Sequence, residues 1–161
     1  KWPNKIAAGT ELNKPVAHID MLPTIAAATG TPLPENVEID GVNFMPLAIG
    51  QATEQDAIST RDTLFWQSGY YRVVRHGDWK LQINGFQSKQ WLYNLAVDPT
   101  EQHNLAADRP DKLTQLQALL DAHKASARAP LYPNEVHMPV MIDKPLGQRM
   151  VDGDEYIYWP N

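Results

Sequence analysis

The sequence predicts an α+β fold, in which a first block precedes a small four-stranded antiparallel sheet with a packed C-terminal helix. Three observations predict it. A helical pattern with end signals runs through residues 18–30, alternating apolar and polar residues begin after Arg61, and an amphipathic stretch follows from about residue 108 to residue 125. The chain of 161 residues has the length of one ordinary domain or of the end of a larger one.

The first block, residues 1–50, contains one clear helix. Residues 10–19 are mostly extended in character, with Val16 and Ile19 as apolar anchors. In the helix that follows, Asp20 is placed to cap the first turn, Pro23 lies inside that turn, and Gly30 supplies a left-handed end. Three shorter features complete the block: a loop at 31–38, a turn at Asp40-Gly41 and a helical turn at Met45-Pro46-Leu47.

The second block, residues 51–128, changes from helical to alternating periodicity. Residues 51–61 are polar and indicate a surface connection. Short strands are predicted at Thr63–Trp66, Tyr71–Arg75, Trp79–Ile83 and Trp91–Leu95. The tight turns between them predict an antiparallel meander.

A helix is predicted to cover this sheet and to be followed by a tail. It opens at residues 108–111 and runs to about Ala125, with an apolar stripe of Leu113, Leu116, Leu119 and Leu120. A sheet with one apolar face needs such a cover. Residues 129–161 hold five prolines and no clear period, so we expect an extended tail that wraps over a larger body.

Composition excludes several classes of function. There are no cysteines, which excludes disulfides, thiolate metal sites and a thiol nucleophile. The net charge of −5 argues against nucleic acid as a partner. No apolar run approaches the roughly 20 residues of a membrane-spanning helix. The chain opens on Lys1-Trp2-Pro3, without Met or a signal peptide, which is typical of a fragment or a processed chain.

Two short acidic patterns could carry chemistry, and both favour a structural interpretation. His18-Ile19-Asp20 has the spacing of two metal ligands, but if Asp20 caps the helix the two side chains do not converge. Asp98 and Glu101 could form a pair of carboxylates for a cation or for acid–base work. Their spacing also fits a turn in which Asp98 accepts backbone amides, and we favour that turn.

Cations and aromatic residues on the strands are candidates for ligand contact. Arg72, Arg75 and Lys80 could bind an anionic group, but strand alternation turns Arg72 and Arg75 to opposite faces, which favours a solvated role. The predicted substrate-binding residues are Trp66, Gln67, Tyr70 and Tyr71, next to the flexible Gly69. Sugar sites combine flat apolar faces with a few aimed polar groups. The alternative is that Trp66 and Tyr71 fill the core of the sheet.

An ordered set of motifs resembles one family along nearly the whole chain. Residues 15–24 (PVAHIDMLPT) resemble the segment that closes the large α/β domain of type I sulfatases, and residues 39–44 (IDGVNF) resemble the next block. The small C-terminal subdomain of that family is matched by residues 74–81, 92–95, 98–101 and 104–105. Lys1-Trp2-Pro3 looks like the end of a strand that follows a glycine-rich segment in the same family.

The resemblance implies a fold and domain organisation. Residues 1–50 would complete the edge of the large α/β sulfatase domain, residues 51–128 would form the small antiparallel-sheet subdomain with its helix, and residues 129–161 the wrapping tail. In the family this subdomain borders the active-site cleft and helps to select the substrate, which supports the four predicted contact residues.

The resemblance also implies the parent activity, the hydrolysis of aryl or carbohydrate sulfate esters. The nucleophile of the family is a formylglycine made in a C/S-x-P-x-R motif, assisted by a calcium ion held by Asp and Asn. That motif does not occur in this sequence, so no catalytic residue and no metal ligand can be assigned here. We expect calcium and formylglycine in an upstream catalytic portion of the same protein, which would be the chain's partner.

Two other functions stay open at this point. One is a phosphomonoester or phosphonate hydrolase of the same superfamily, which the upstream nucleophile and metal ligands would distinguish. The other is a non-catalytic carbohydrate-binding or interaction module. The expected ligand is a sulfated small molecule or glycan, with no nucleic acid and no membrane as partner. The family implies a periplasmic or secreted location.

Overall fold

The computed structural model describes residues 2–85, 88–129, 141–142, 151 and 156–157. The chain divides into two compact units, residues 1–126 and residues 127–161. The helices are α1 Met21–Thr29, α2 Met45–Ala48, α3 Ala57–Thr60 and α4 Pro110–Ser126, with a short 3-10 turn at His18–Asp20 before α1. The strands are β1 Thr63–Ser68, β2 Tyr71–His76, β3 Trp79–Asn84, β4 Lys89–Asn94, β5 Met141–Ile142 and β6 Tyr156–Ile157.

Helix α1 ends as predicted but does not begin as predicted. Gly30 has φ 69° and closes the helix in the left-handed conformation. Asp20 stands at the N-cap position, yet its side chain makes no capping hydrogen bond. The predicted cap is wrong, because the carboxylate is drawn instead to Arg61 and to the backbone of Val42, which lie far along the chain.

The first block contains a close backbone approach at Gly41. A Cβ atom on Gly41 would lie 2.0 Å from the carbonyl oxygen of Ile19. The predicted turn at Asp40-Gly41 is wrong, because these residues lie in an irregular segment that runs against the 3-10 turn before α1. Glycine is required there by space. The predicted helical turn at Met45 is confirmed as α2.

The polar stretch 51–61 is more than the predicted surface connection. Residues 57–60 form α3, and Ile58 within it is completely buried. Lys14 also donates from Nζ to the Ser59 carbonyl at 2.8 Å. One buried Ile and one long-range hydrogen bond therefore fasten this segment to the rest of the unit.

The four predicted strands are confirmed as one antiparallel sheet in the order β1-β2-β3-β4. Phe65 pairs with Val74, Val74 with Leu81, and Leu81 with Leu92. The turn between β2 and β3 uses Gly77 at φ 57°, a conformation that favours glycine. This uninterrupted meander fixes which side chains share each face.

Helix α4 covers one face of the sheet, as its apolar stripe predicts. The core cluster contains Val74, Leu81, Ile83 and Leu92 from the strands and Leu116 and Leu120 from α4. The α+β fold class is thereby confirmed. The opposite face of the sheet does not pack against α4, although Val73, Trp91 and Tyr93 on that face are buried.

The outer edge of β4 is covered by the segment that follows it. Asn104 accepts from the Leu92 amide at 3.0 Å and donates to the Gln90 carbonyl at 3.1 Å. The amide of Leu105 then donates to the Leu92 carbonyl at 2.8 Å. An exposed strand edge invites pairing with other chains, and here the edge is occupied.

The second unit is described only in part. Strands β5 and β6 pair antiparallel, with Met141 opposite Ile157. The predicted wrapping tail at 129–161 otherwise lies almost wholly outside the described residues. Within the described part of the chain, no helix combines the length and the apolar character needed to cross a membrane.

Candidate functional site

The four predicted contact residues all lie in the β1–β2 hairpin. Trp66 and Gln67 belong to β1, Tyr71 opens β2, and Tyr70 sits in the two-residue turn between the strands. Tyr70 is 61% exposed and Trp66 is 38% exposed, large fractions for aromatic side chains. Gly69 in the turn has φ 56°, which explains the glycine at that position.

The structure brings two of these residues to one face and separates a third. Phe65 packs against the core under α4 and stacks on the ring of His123, with centroids 4.2 Å apart. Because side chains alternate along a strand, Trp66 points to the face opposite α4, and Gln67 points to the same side as Phe65. The register places Ser68 opposite Tyr71, so Tyr71 shares the face of Trp66.

A chain of hydrogen bonds crosses the face that α4 leaves uncovered. The hydroxyl of Tyr71 donates to Oε1 of Gln82. Nε2 of Gln82 donates to Oε2 of Glu101 at 2.7 Å, and Nζ of Lys80 donates to Oε1 of the same carboxylate at 2.6 Å. We call these four residues, Tyr71, Gln82, Glu101 and Lys80, the cross-strand chain. It ties the candidate contact residue Tyr71 to a loop thirty residues away in sequence.

Glu101 holds its place in this chain at a conformational cost. Its φ is 58°, in the left-handed region that costs a non-glycine residue about 1 kcal/mol or more. Asp98 shapes the turn before it, since its carboxylate accepts from the amides of Gln102 and His103 at 3.0 and 2.8 Å. These bonds lower the pKa of Asp98. The predicted turn at Asp98 is confirmed. Glu101 does not form a carboxylate pair with Asp98, because its carboxylate accepts from Lys80 and Gln82.

The cations divide between the two faces, as alternation predicts. Arg72 points toward α4 and pairs with Asp121 at 3.2 Å. Arg75 and Lys80 stand directly opposite each other on β2 and β3. Two like charges opposite each other repel, and the carboxylate of Glu101 offsets this at Lys80.

Asp20 has a structural role, as predicted, although not as the N-cap of α1. It is completely buried, and its carboxylate accepts from the Ala17 amide at 2.7 Å, the Val42 amide at 2.9 Å and both terminal nitrogens of Arg61 at 2.5 and 2.7 Å. Burial raises the pKa of Asp20, but Arg61 and the two amides outweigh it, so the pKa is lowered. His18 is exposed and does not join this group.

A cavity of about 210 Å³ lies beside this ion pair, between residues 13–15 and the β2–β3 turn. Its charged lining residues are Lys14, Arg61, Arg75, Asp62 and Asp78. Since Arg61 is neutralised by Asp20, two cations face two carboxylates, and the cavity has no net preference for an anion. Among the described residues, no three His, Asp or Glu side chains gather as metal ligands would.

Sequence reasoning missed Gln82 and the role of Glu101. Gln82 stood in an alternating strand where any polar residue fits. Glu101 appeared only as a partner for Asp98. The signal that could have found them is the register itself, which places Gln82 on the same face as Tyr71, one strand away.

Comparisons with known proteins agree on one family. Residues 1–130 match the family described as N-sulphoglucosamine sulphohydrolase, C-terminal. The chain is 39% identical over 149 residues to arylsulfatase A of Homo sapiens, which covers 73% of this chain and 28% of that protein. It is 25% identical over 134 residues to an N-acetylgalactosamine-6-O-sulfatase of Bacteroides thetaiotaomicron, covering 77% of this chain and 26% of that protein.

A solved structure agrees in fold. A 2-O GAG sulfatase superposes with a TM-score of 0.54 at 26% identity, over 66% of this chain and 24% of that one. The chain therefore spans about a quarter of the length of these relatives. A family match over residues 1–130, with relatives named as sulfatases in sequence and in structure, leads to one assignment. The chain belongs to the N-sulphoglucosamine sulphohydrolase, C-terminal family and is similar to the carboxy-terminal portion of type I sulfatases.

Proposed function

We propose that this chain is the substrate-selecting part of a hydrolase of aryl or carbohydrate sulfate esters. The observation that carries the proposal is the family match over residues 1–130. The relatives are named for an aryl sulfatase and for a sulfatase of a 6-O-sulfated amino sugar. In this proposal sulfate-ester cleavage takes place on residues upstream of this chain, and the chain contributes the wall that recognises the rest of the substrate.

The catalytic groups of the family are assigned upstream for a chemical reason. A formylglycine needs a Cys or Ser in a C/S-x-P-x-R motif, and the sequence contains none. A calcium site needs several carboxylate or carbonyl oxygens that converge, and the described residues offer no such carboxylate cluster. Calcium and formylglycine therefore do not fit these residues, and no step of the chemistry is assigned to them.

The partner we propose is that upstream catalytic portion of the same protein, and α1 supplies the docking surface. Its outward side is apolar: Leu22 is 56% exposed and Ile25 is 54% exposed, with Met21 and Ile19 beside them. We call these four residues the α1 apolar face. A helix normally buries its apolar side against another layer, and an α/β domain offers such a layer. Because this chain spans only about a quarter of its relatives, the rest of their length would provide the layer that covers this face.

The substrate contacts we propose are Trp66, Tyr70 and Tyr71, with Gln67 on the other side of the strand. The exposed rings of Trp66 and Tyr70 suit stacking on a sugar or an aryl group. The Tyr71 hydroxyl adds a directed polar contact on the same face as Trp66. The periplasmic or secreted location implied by the family is part of the same proposal and is tested by cell fractionation.

The experiment uses the complete protein, purified with calcium. We expect hydrolysis of 4-nitrophenyl sulfate and of N-acetylgalactosamine 6-sulfate, and little of 4-nitrophenyl phosphate. Trp66→Ala and Tyr70→Ala should raise KM for the sulfated sugar more than for the aryl sulfate. Val97→Ala, at a side chain 79% exposed outside the hairpin, is the control. Faster hydrolysis of the phosphate would assign the protein to the phosphomonoester hydrolases instead.

A further inference from the structure

The two outer edges of the four-stranded sheet differ in what covers them. At β4 the amide and the carbonyl of Leu92 face outward and are bonded to Asn104 and Leu105. At β1 no such segment is bonded: among the described residues, β2 is the only strand that pairs with β1. The sheet is therefore covered at one edge and open at the other.

The pairing with β2 fixes which backbone groups of β1 face outward. The Gly77 amide donates to the Asp62 carbonyl at 2.8 Å, so Asp62 is bonded to the neighbouring strand. Bonded and non-bonded residues alternate along an antiparallel strand, so Leu64 and Trp66 also bond to β2. The residues whose N–H and C=O groups point away from β2 are the alternate ones, Thr63, Phe65 and Gln67. We call their main-chain groups the β1 edge groups.

The sequence of β1 has none of the features that protect a free edge. Within the described part of the chain, no hydrogen bond reaches the β1 edge groups. The six residues Thr63–Ser68 pair in unbroken register and include no proline and no charged side chain. Free edges normally carry such residues or a bulge, because an unprotected edge pairs with other chains. The strand is therefore suited to a neighbour on both sides.

The proposed docking surface lies close to the start of this edge. Asp20 directly precedes α1, and its carboxylate binds Arg61, which lies just before β1. Nζ of Lys14 also donates to the Ser59 carbonyl at 2.8 Å. The segment that leads into α1 is thus fastened to the segment that leads into β1. A partner on the α1 apolar face is consequently brought close to the β1 edge groups.

We infer that a strand of the upstream catalytic portion pairs with the outer edge of β1 and adds a fifth strand to the sheet. This chain spans about a quarter of the length of its relatives, so the rest of their length contains chain that can provide this strand. Addition of an extended segment to an exposed sheet edge is a recurring mode of recognition. The inference rests on the proposed function, which names that portion as the partner.

The pairing adds a directional contact to the apolar contact at α1. Main-chain hydrogen bonds fix the register of one strand against the next, whereas an apolar face alone does not. Since β1 carries Trp66 and Gln67, these bonds fix the β1–β2 hairpin directly against the catalytic portion. The proposed substrate contacts are thereby aligned with the residues that cleave the sulfate ester.

Hydrogen–deuterium exchange in the complete protein, read residue by residue, tests the pairing without any substitution. The amides of Phe65 and Gln67 should exchange as slowly as those of Leu64 and Trp66, and about 100-fold more slowly than the turn amide of Gly69. Without a strand on the edge, slow and fast amides would alternate along β1, with Phe65 and Gln67 fast. That alternation would overturn the inference.

Gln67→Pro removes one outward N–H and keeps the bonds between β1 and β2. In the complete protein it should speed exchange of the Phe65 amide about tenfold, the effect of one lost hydrogen bond, while Leu64 and Trp66 stay slow. Gln67→Ala is the matched control, because it removes the same side chain but keeps the N–H, and it should leave Phe65 slow. Equal exchange at Phe65 in the two variants would mean that the edge is shielded without strand pairing, against the inference.

The outcomes separate this inference from the proposed function and from a second copy of the chain. Sulfate-ester hydrolysis with fast Phe65 and Gln67 amides would reject the strand pairing and keep the proposed function. Slow amides without hydrolysis of a sulfate ester would support the pairing and reject the proposed function. Slow amides that appear only as the protein concentration rises, together with the mass of a dimer, would assign the edge to a second copy and overturn the inference.

Discussion

Asp20 shows at the scale of one residue how a buried charge is made tolerable. Four hydrogen bonds reach its carboxylate, two of them from Arg61, which lies 41 residues along the chain. Arg61 also donates to the Pro15 carbonyl at 3.3 Å. The pair therefore ties the start of β1 to the segment before α1. Removal of one partner leaves the other buried and uncompensated.

Asp20→Asn should lower the free energy of unfolding by about 3 kcal/mol at neutral pH. The pKa of Asp20 is lowered from its ordinary value of 3.8, so its contribution to stability is full above that value and is lost as the pH falls through the folded pKa. The stability difference between wild type and variant should therefore shrink in acid. Urea unfolding followed by tryptophan fluorescence measures both.

Asp121→Asn is the matched control for this prediction. It also removes a carboxylate paired with an arginine, but Asp121 is exposed, so the expected loss is below about 1 kcal/mol. Equal losses in the two variants would contradict the importance of burial. A gap that stays constant down to pH 2 would contradict the linkage to Asp20.

Gly41→Ala tests a requirement for space. The new Cβ would meet the Ile19 carbonyl at 2.0 Å, and because both partners are backbone, the segment must move. We expect a loss of more than about 2 kcal/mol. Gly50→Ala is the control: it has φ 71° and open space around it, so it should cost only about 1 kcal/mol. Thermal unfolding of both variants measures the two losses of stability. A smaller loss for Gly41→Ala than for Gly50→Ala would contradict the close contact at Gly41.

At the scale of elements, the loop after β4 does two jobs. Asn104 and Leu105 close the edge of β4, and Glu101, a few residues earlier, reaches under the sheet to β3. The same loop therefore covers the edge of β4 and holds Glu101 in the cross-strand chain.

Asn104→Ala should open the β4 edge. It removes the bonds to the Leu92 amide and the Gln90 carbonyl, so faster hydrogen exchange is expected at Leu92, together with concentration-dependent aggregation. Gln102→Ala changes a neighbouring exposed side chain and should leave both unchanged. Unaltered exchange at Leu92 in Asn104→Ala would show that the edge is held by Leu105 alone.

The elements were predictable because their patterns are local. Alternation located all four strands, and Gly30 and the leucine stripe located the ends and faces of two helices. The misses share one cause, which is contact between distant residues. The local pattern predicts Asp20 as an N-cap, but its carboxylate binds Arg61, which lies 41 residues along the chain. The local pattern predicts a turn at Gly41, but this residue is a glycine because its backbone lies against Ile19. The contacts of Gln82 depend on the strand register, and those of Glu101 depend on a left-handed backbone conformation. No local sequence pattern predicts either.

At the scale of the molecule, the α1 apolar face predicts how this chain behaves in its parent protein. Leu22→Asp or Ile25→Asp should leave the spectrum and Tm of residues 1–161 nearly unchanged, because both side chains are more than half exposed. In the complete protein the same substitutions should lower Tm and activity, because a charge would be buried at the proposed interface.

Ala27→Asp is the control, since Ala27 is exposed on the same helix and lies five residues after Leu22, on the side away from the α1 apolar face. Differential scanning calorimetry of the complete protein measures the effect. An unchanged Tm for Leu22→Asp would mean that the upstream portion docks elsewhere.

The loop from Thr31 to Ile39 has its two ends fixed independently of its own length. The Thr31 amide bonds to the Ala26 carbonyl at 2.9 Å on one side, and the Val42 amide bonds to Asp20 at 2.9 Å on the other. A doubling of the length of such a loop costs only about 0.6 kcal/mol. The loop is therefore the place where homologous chains can gain or lose residues without disturbing the hairpin. It is also where an affinity tag or a fluorescent reporter can be inserted.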